Sequence, residues 1–241
     1  MESKKKTLRT LGIISFTASI LVGFVMLVLM NWANFEAYFF FGYTAPADTT
    51  LTTLKCPLLM TTADTGNISI RLTNTTSLDL SPMIRTEISY YGAARSDSNN
   101  YPLAAGETRN FSWMVSPDDM VFGHLILARV YVYSAYTLPS RDNTCGIVVV
   151  NLPGLTGIQL FVILIAFILV CMAAGWGLWL AGSHPLQAPG RIALTAMAIF
   201  TGVVLIGILA GCMDWWGVGL ICTVICVLLT IAVVGNYIQK A

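Results

Sequence analysis

Four stretches of this 241-residue chain are almost continuously apolar, and a long polar stretch separates the first of them from the other three. The apolar stretches are 11–32, 155–181, 192–212 and 217–237. Each is close to the ~20 residues that an α-helix needs to cross a bilayer. The pattern therefore predicts four transmembrane helices, with one extramembrane domain between the first and the second.

Within the polar stretch the hydrophobic period changes to two. Residues 67–73 and 111–115 alternate between apolar and polar side chains, as strands with one buried face do. Further segments between 83 and 151 are rich in β-branched and aromatic residues and are separated by clusters of Gly, Ser, Asp and Asn. Six or seven short strands without a helical run predict an antiparallel β-sandwich of immunoglobulin-like type over 50–151.

Residues 33–49, between the first span and the sandwich, are rich in aromatic side chains. Trp and Tyr prefer the membrane–water interface, where the ring lies in hydrocarbon and the polar edge stays hydrated. We therefore expect a membrane-seated collar here, and a partner-binding apolar surface is the alternative. The aromatic residues are Phe35, Tyr38, Phe39, Phe40, Phe41 and Tyr43.

Composition agrees with a membrane protein. The chain is 56% hydrophobic and 10% charged, with a mean hydropathy of +0.74, whereas a soluble domain has about 25% charged residues. A cleaved signal peptide is the alternative interpretation of the first span, because Ala45-Pro46-Ala47 imitates a cleavage site. The apolar core is longer than the usual ~7–15 residues and the site lies too far downstream, so we expect a retained anchor.

Basic residues indicate the orientation of the spans. The basic residues in the short segments that flank the spans lie in 1–10, at Arg191 and at Lys240. The short loop 213–216 carries no Lys or Arg. The positive-inside rule predicts that both termini are cytoplasmic and that the sandwich lies outside the plasma membrane. The predicted order is cytoplasmic 1–10, first span 11–32, collar 33–49, sandwich 50–151, second span 155–181, cytoplasmic loop 182–191, third span 192–212, external loop 213–216, fourth span 217–237 and cytoplasmic 238–241.

Short sequences inside the sandwich carry a family resemblance. They are Leu-Thr-Asn-Thr-Thr at 72–76, Leu-Ala-Ala-Gly-Glu-Thr at 103–108 and Phe-Ser-Trp at 111–113. Together they resemble the turn and strand pattern of cell-adhesion-related (CARDB-like) immunoglobulin-like β-sandwich domains of prokaryotic surface proteins. The resemblance covers about 66–150. It implies a structural or binding module and brings no active site with it.

The cysteines fall into two groups. Cys56 and Cys145 lie on the predicted first and last strands of the external domain, where an oxidising environment favours a disulfide. Strand pairing that holds the two thiols apart is the alternative. Cys222 and Cys226 are four residues apart on one helical face, a spacing that metal ligands also use. No His, Asp or Glu accompanies them in the span, so we expect packing, and we predict no metal and no cofactor.

Enzyme and transport signatures are sparse. The spans contain no Asp, Glu, Lys, Arg or His, although transporters and proton relays usually need one, and the chain has no nucleotide-binding or hydrolase motif. Asp118 and Asp119 fit a solvated turn. An enzyme with an unrecognised site would need polar groups clustered around His124 or Asp118. A small-molecule or lipid transporter component with an uncharged groove between the last three spans remains the alternative function.

Two rows of small residues in the spans predict close helix packing, because small side chains let helix backbones approach. Packing within the chain's own four helices is one interpretation, and docking of the first span against another subunit is the other. The predicted packing residues are Ser15, Ser19, Gly23, Ala198, Gly202, Gly207 and Gly211.

Three sequons in the external stretch are candidate glycosylation sites: Asn67, Asn74 and Asn110. The same stretch has more acidic than basic residues, so nucleic acid is not an expected partner. We predict a non-enzymatic integral membrane protein whose sandwich mediates recognition or assembly, as an accessory subunit of a membrane complex or an envelope interaction protein. The expected partners are the lipid bilayer and other membrane or surface proteins, and no small-molecule substrate is indicated.

Overall fold

The structure is a computed structural model that describes residues 2–42, 47–91, 93–135, 138–183, 188–213 and 215–238. The sequence-based expectations for Tyr43, Lys240 and most of the proposed cleavage site concern residues outside this part. The chain divides into a helical unit, formed by Met1–Asn31 and Phe161–Ala241, and a β-unit, Trp32–Leu160.

The described residues form four α-helices: α1 (Glu2–Phe41), α2 (Gly157–Ser183), α3 (Ala188–Cys212) and α4 (Trp216–Ile238). Over Ser3–Phe41, Gly157–Ser183 and Gly190–Cys212, three of them are long and apolar enough to cross a membrane. α4 contributes a shorter apolar stretch, Trp216–Ala232. The long apolar helices indicate a membrane protein.

Glycines let α1 and α2 approach closely in the helical unit. A Cβ added at Gly12 would lie 2.6 Å from the backbone nitrogen of Trp179, and one added at Gly175 would lie 2.8 Å from that of Phe16. Backbone atoms cannot rotate away as side chains do, so these two positions require glycine. The two helices therefore pack backbone against backbone, as small residues allow.

The β-unit contains two sheets. The larger has the strand order β1-β8-β7-β4-β5, with β2 also paired to β8, and the smaller consists of β3 and β6. A hydrophobic core between the sheets includes Ile68, Ile70, Ile126 and Ile147. The strands are β1 (Thr49–Thr50), β2 (Leu59–Thr61), β3 (Gly66–Thr73), β4 (Met83–Tyr90), β5 (Ala93–Asn100), β6 (Thr108–Val115), β7 (Leu125–Val132) and β8 (Arg141–Val150).

Pairing in the larger sheet is mixed, which corrects the prediction of a purely antiparallel arrangement. β4 pairs with β5 and β7, and β7 with β8, in antiparallel fashion, whereas β1 and β2 both run parallel to β8. Parallel neighbours need a crossover connection instead of a hairpin. The chain between Thr61 and Arg141 forms β3 to β7 and provides that crossover.

The C-terminal part of α1 covers the larger sheet on the face opposite the smaller one. Ala33, Ala37 and Phe41 pack against Leu127 and Val148, and the side-chain oxygen of Asn34 accepts a hydrogen bond from the backbone N–H of Gly146 at 3.0 Å. α1 thus continues to Phe41, beyond the predicted span 11–32 and into the segment predicted as a collar. Residues 33–41 contain no Gly or Pro, so nothing in the sequence interrupts the helix.

Glycine at 146 makes this cover possible, because a Cβ there would overlap the carbonyl oxygen of Ala33. The helix and the two sheets thus form three layers. β7 lies in the middle layer and is buried along nearly its whole length. A strand that is buried on both faces shows a continuous apolar run instead of alternation, and 125–132 has such a run.

Candidate functional site

The predicted disulfide between Cys56 and Cys145 is present, with Cα atoms 6.5 Å apart. Cys145 belongs to the core between the sheets, and Cys56 packs against that core. The bond joins the segment before β2 to β8 across 89 residues of sequence. Closure of so long a loop restricts the unfolded chain and contributes up to ~4–5 kcal/mol in the chain-entropy model.

A buried guanidinium joins the end of α1 to the sheet. Arg129 of β7 is 5% exposed, and its Nη2 lies 2.6 Å from Oδ2 of Asp142 on β8. Its Nη1 donates a hydrogen bond to the carbonyl oxygen of Phe41 at 3.4 Å. The C-terminal end of a helix carries partial negative charge, which attracts a cation. One side chain thus links the helix end with two strands, and we call it the Arg129 clamp.

Further charges surround the Arg129 clamp. Glu87 of β4 lies 3.9 Å from Arg129 Nη1 and forms a second ion pair with Arg85 at 2.5 Å. The hydrogen bond of Arg85 with Tyr133, followed by the charge of Glu87, raises the pKa of the Arg85 guanidinium. Because a buried ion that loses its partner is strongly destabilising, this network fixes the register of three neighbouring strands.

Asp118 and Asp119 differ in their surroundings. Asp118 is exposed, in keeping with a solvated turn, but Asp119 is 3% exposed and pairs with Arg95 through both carboxylate oxygens, at 2.7 and 3.0 Å. The solvated-turn prediction is therefore wrong for Asp119. The pair connects the exposed edge strand β5 with the 3₁₀ turn Pro117–Asp119, and a bidentate contact of this kind has a defined geometry.

The sequon asparagines lie in two kinds of environment. Asn67 and Asn110 are exposed on β3 and β6. Asn74 is 1% exposed, and its Nδ2 donates hydrogen bonds to the carbonyl oxygens of Leu78, Leu103 and Ala104. Nδ2 is the atom to which a glycan would be attached, so the folded state of Asn74 does not suit glycosylation. Glycosylation of Asn67 and Asn110 stays a prediction.

Three exposed aromatic side chains lie at one end of the larger sheet. Tyr90 is the last residue of β4, Tyr91 follows it, and Phe122 precedes β7. β4 and β7 are antiparallel, so the end of one meets the start of the other. β8 also ends there, because Val148 pairs with Leu125. We call Tyr90, Tyr91 and Phe122 the aromatic end of the β-unit.

Two members of the aromatic end have unusual backbone conformations. Tyr91 has φ of 44° and Phe122 has φ of 53°, in the left-handed region that bulky residues rarely adopt. Their side chains are 75% and 62% exposed, respectively. Such conformations cost about 1–3 kcal/mol each and are concentrated at functional sites. Large apolar side chains that are held outward at this cost identify a candidate contact surface.

Most of the predicted packing residues face other helices of the same unit. Ser15 donates a hydrogen bond to the carbonyl oxygen of Cys171 on α2 at 2.9 Å, Ser19 is fully buried, and a Cβ at Gly23 would lie 2.7 Å from Val204 of α3. On α3, Gly207 faces Leu27 of α1, and Gly211 faces Met30. Ala198 is exposed, and at Gly202 a Cβ would meet nothing within 4 Å among the described residues.

The helical unit also contains an apolar groove of about 650 Å³ between α1, α3 and α4. α1 lines it over 9–24, α3 over 193–200 and α4 over 227–231. Arg9 is the one charged group among the described lining residues, and the other side chains are aliphatic or aromatic apart from two threonines. The alternative function predicted from the sequence uses a groove between the last three spans, whereas α1 forms a wall of this one.

Some candidate residues are not brought together. His124 is exposed, and its Nδ1 lies 2.6 Å from the carbonyl oxygen of Phe122. Cys222 and Cys226 are buried thiols of α4. Among the residues that the structure describes, no group of three or more His, Cys, Asp or Glu side chains is placed to hold a metal ion.

Comparison with known proteins gives neither a family nor a named relative. No protein-family model matches the chain, and no curated protein does. One similar solved structure is the cycloisomaltooligosaccharide glucanotransferase of Paenibacillus sp., with 17% identity and a TM-score of 0.33 over 43% of this chain. The matched part spans only 14% of that enzyme.

Another similar structure is the CARDB domain of a Pyrococcus furiosus protein. It has 11% identity and a TM-score of 0.29, and the match covers 40% of this chain and 84% of that domain. A third is red sea bream transglutaminase, with 11% identity, a TM-score of 0.32, and coverage of 42% and 17% of the two chains. The CARDB domain is thus a weak structural neighbour. TM-scores this low support no transfer of activity.

Proposed function

We propose that this chain is a non-enzymatic integral membrane protein that presents its β-unit outside the cytoplasm for recognition or assembly. In this proposal all four helices cross the plasma membrane, both termini are cytoplasmic, and the partner is another membrane or surface protein. The basic residues that flank the apolar stretches support the orientation. The resulting role is that of an accessory subunit or an envelope interaction protein.

The observation that carries the proposal is the aromatic end. Exposed Tyr and Phe side chains are typical anchors of protein interfaces, because they bury a large apolar area and lose little rotamer entropy. Tyr91 and Phe122 are held outward despite unfavourable backbone conformations. The disulfide and the Arg129 clamp stiffen the sheet that supports them. A rigid support lowers the entropy that association costs.

Photo-crosslinking in native membranes tests the proposal. A photoreactive phenylalanine analogue is placed at Tyr91 in the full chain, and Leu78, which is also exposed and apolar, serves as the matched control position. Leu78 lies in the connection between β3 and β4, before the first residue of β4. It is therefore separated by the length of β4 from Tyr91, which follows the last residue of that strand. We expect one discrete protein adduct from position 91 and none from position 78, as measured by gel mobility and mass spectrometry.

A second variant separates recognition from folding. Asn tolerates the left-handed backbone region, so Tyr91→Asn combined with Phe122→Asn keeps the turns and removes the aromatic surface. We expect this double variant to retain the melting temperature of the wild type and to lose the partner on copurification. Adducts with lipid alone from position 91 would instead identify the aromatic end as a membrane-seating surface and would refute the proposal.

A further inference from the structure

The apolar groove of the helical unit has the dimensions of a ligand site. Its volume of about 650 Å³ lies within the ~300–1,000 Å³ of small-molecule sites. Along α1 it extends from Arg9 to Phe24, which is about 22 Å at a helical rise of ~1.5 Å per residue. One leaflet of a bilayer is half of a hydrocarbon core of ~30 Å. The groove is therefore longer than one leaflet, which is long enough for an extended hydrocarbon chain.

The walls of the groove suit hydrocarbon. Ile13, Leu21 and Phe24 of α1 face Met197 and Phe200 of α3 across it. The hydroxyl of Thr230, a polar group in the lining, donates a hydrogen bond to the carbonyl oxygen of Cys226 at 2.8 Å. That bond satisfies the hydroxyl within its own helix, so the middle of the groove offers little to a polar ligand.

One end of the groove carries a positive charge. Arg9 lines that end, and among the described residues its guanidinium has no ion pair. A Cβ at Gly182 would lie 2.9 Å from the backbone nitrogen of Arg9, so close packing against α2 fixes the position from which the side chain extends. Lys6 lies one helical turn earlier and is exposed. Guanidinium groups bind phosphate through two parallel hydrogen bonds.

We propose that the groove binds one acyl chain of an anionic glycerophospholipid, with Arg9 bound to its phosphate group. The lipid comes from the leaflet at which α1 begins. The combination of one cationic end and an apolar length of at least one leaflet matches a lipid with a charged headgroup. This proposal is independent of the partner recognition proposed above, because it concerns the helical unit alone.

Lipid retention by the full-length protein tests the headgroup part of the proposal. The purified protein is incubated with equimolar dioleoyl phosphatidylglycerol and dioleoyl phosphatidylcholine in detergent, and native mass spectrometry counts and identifies the bound lipids. A basic residue near the headgroups contributes about 1 kcal/mol, which corresponds to an about five-fold preference for phosphatidylglycerol. We expect this preference in the wild type and its loss in Arg9→Gln, whereas the control Arg191→Gln retains it.

Two substitutions on α3 test the groove itself. Ala196 lines the groove, and Ala198 is exposed outside it. We expect Ala196→Phe to lower the retention of both lipids several-fold, and Ala198→Phe to leave it unchanged. If Ala196→Phe fails to fold, as its melting temperature would show, the headgroup ratio of Arg9→Gln still decides.

Three results would overturn the proposal. Equal retention of the two lipids by the wild type would contradict the proposed preference for an anionic headgroup. An equal loss of preference in Arg9→Gln and Arg191→Gln would reduce the effect to general surface charge. A wild-type dimer that light scattering detects and that Ala196→Phe converts to monomers would assign the groove to a second copy of the chain.

Discussion

The helical unit and the β-unit are stabilised by different interactions. In the helical unit, backbones approach at glycines such as Gly12, and polar links are single hydrogen bonds such as the one that Asn31 Nδ2 donates to Thr223 Oγ1 at 3.0 Å. In the β-unit, a sheet is buried on both faces, a disulfide joins distant segments, and Arg129 is buried with its counter-ions.

This difference corresponds to the surroundings in which each unit is expected to be stable, lipid for the helical unit and water for the β-unit. Between apolar helices in lipid, association depends on van der Waals packing and hydrogen bonds, because the lipid tails are as apolar as the side chains. A domain in water gains free energy from apolar burial and includes charges where they are paired. Substitutions that change the size of a side chain should therefore destabilise the helical unit most. Substitutions that remove a buried charge or the disulfide should destabilise the β-unit most.

The largest expected effect is at Arg129. Arg129→Ala leaves Asp142 and the end of α1 without their cation, which should lower the free energy of unfolding of the β-unit by about 3–5 kcal/mol. Urea unfolding of the full chain, followed by near-ultraviolet circular dichroism, measures the effect. The control is Arg71→Ala, because the side chain of Arg71 is exposed and donates a hydrogen bond to Asn110 Oδ1 at 3.2 Å without an ion pair among the described residues. Its effect should stay within about 0.5 kcal/mol. Equal effects would contradict the Arg129 clamp.

Removal of the disulfide should come next. Cys56→Ser with Cys145→Ser is expected to lower the free energy of unfolding of the β-unit by about 2–5 kcal/mol. Cys171→Ser on α2 is the control, for which we expect little change in the β-unit. A thiol reagent applied to the unfolded and unreduced wild type should leave Cys56 and Cys145 unmodified. Modification of either cysteine would show that the bond does not form.

Two glycines of the helical unit should respond in opposite directions. Gly12→Ala forces the backbones of α1 and α2 apart and should destabilise the unit by about 1–3 kcal/mol, as overpacking does. Gly202→Ala adds a methyl group where nothing lies within 4 Å and should stabilise α3 by up to about 1 kcal/mol through helix propensity. The melting temperature in detergent distinguishes the two, and a loss of stability in both would refute this packing.

The smallest effect concerns Asp48, which precedes β1. Hydrogen bonds from the side chain and the backbone N–H of Ser140 lower the pKa of this carboxyl below its usual 3.8. A lowered pKa in the folded state contributes stability above pH 3.8, and the contribution disappears as the pH falls through the folded value. We expect Asp48→Asn to flatten the acid limb of the stability profile slightly, as melting temperatures of the variant and the wild type measured across acidic pH would show.

Local patterns predicted much of the fold. The alternation over 67–73 and 111–115 appears as β3 and β6, which pair along their whole length, and the cysteine positions predicted the disulfide. Two further patterns in the sequence could have been recognised but were missed. Ala33, Ala37 and Phe41 follow the four-residue period of a helix face, and the unbroken apolar run of β7 indicates a strand buried on both sides.

Sequence alone determined the length of the apolar segments, the strand period and the class of protein, because these depend on neighbours a few residues apart. The tertiary structure decided the partners of Arg129, the burial of Asp119 and Asn74, and the face of the sheet that α1 covers. These depend on residues that are distant in sequence: Arg129 pairs with Asp142 on the next strand and with the carbonyl oxygen of Phe41, 88 residues earlier. A buried charge is stable only with such partners, and no local pattern identifies them.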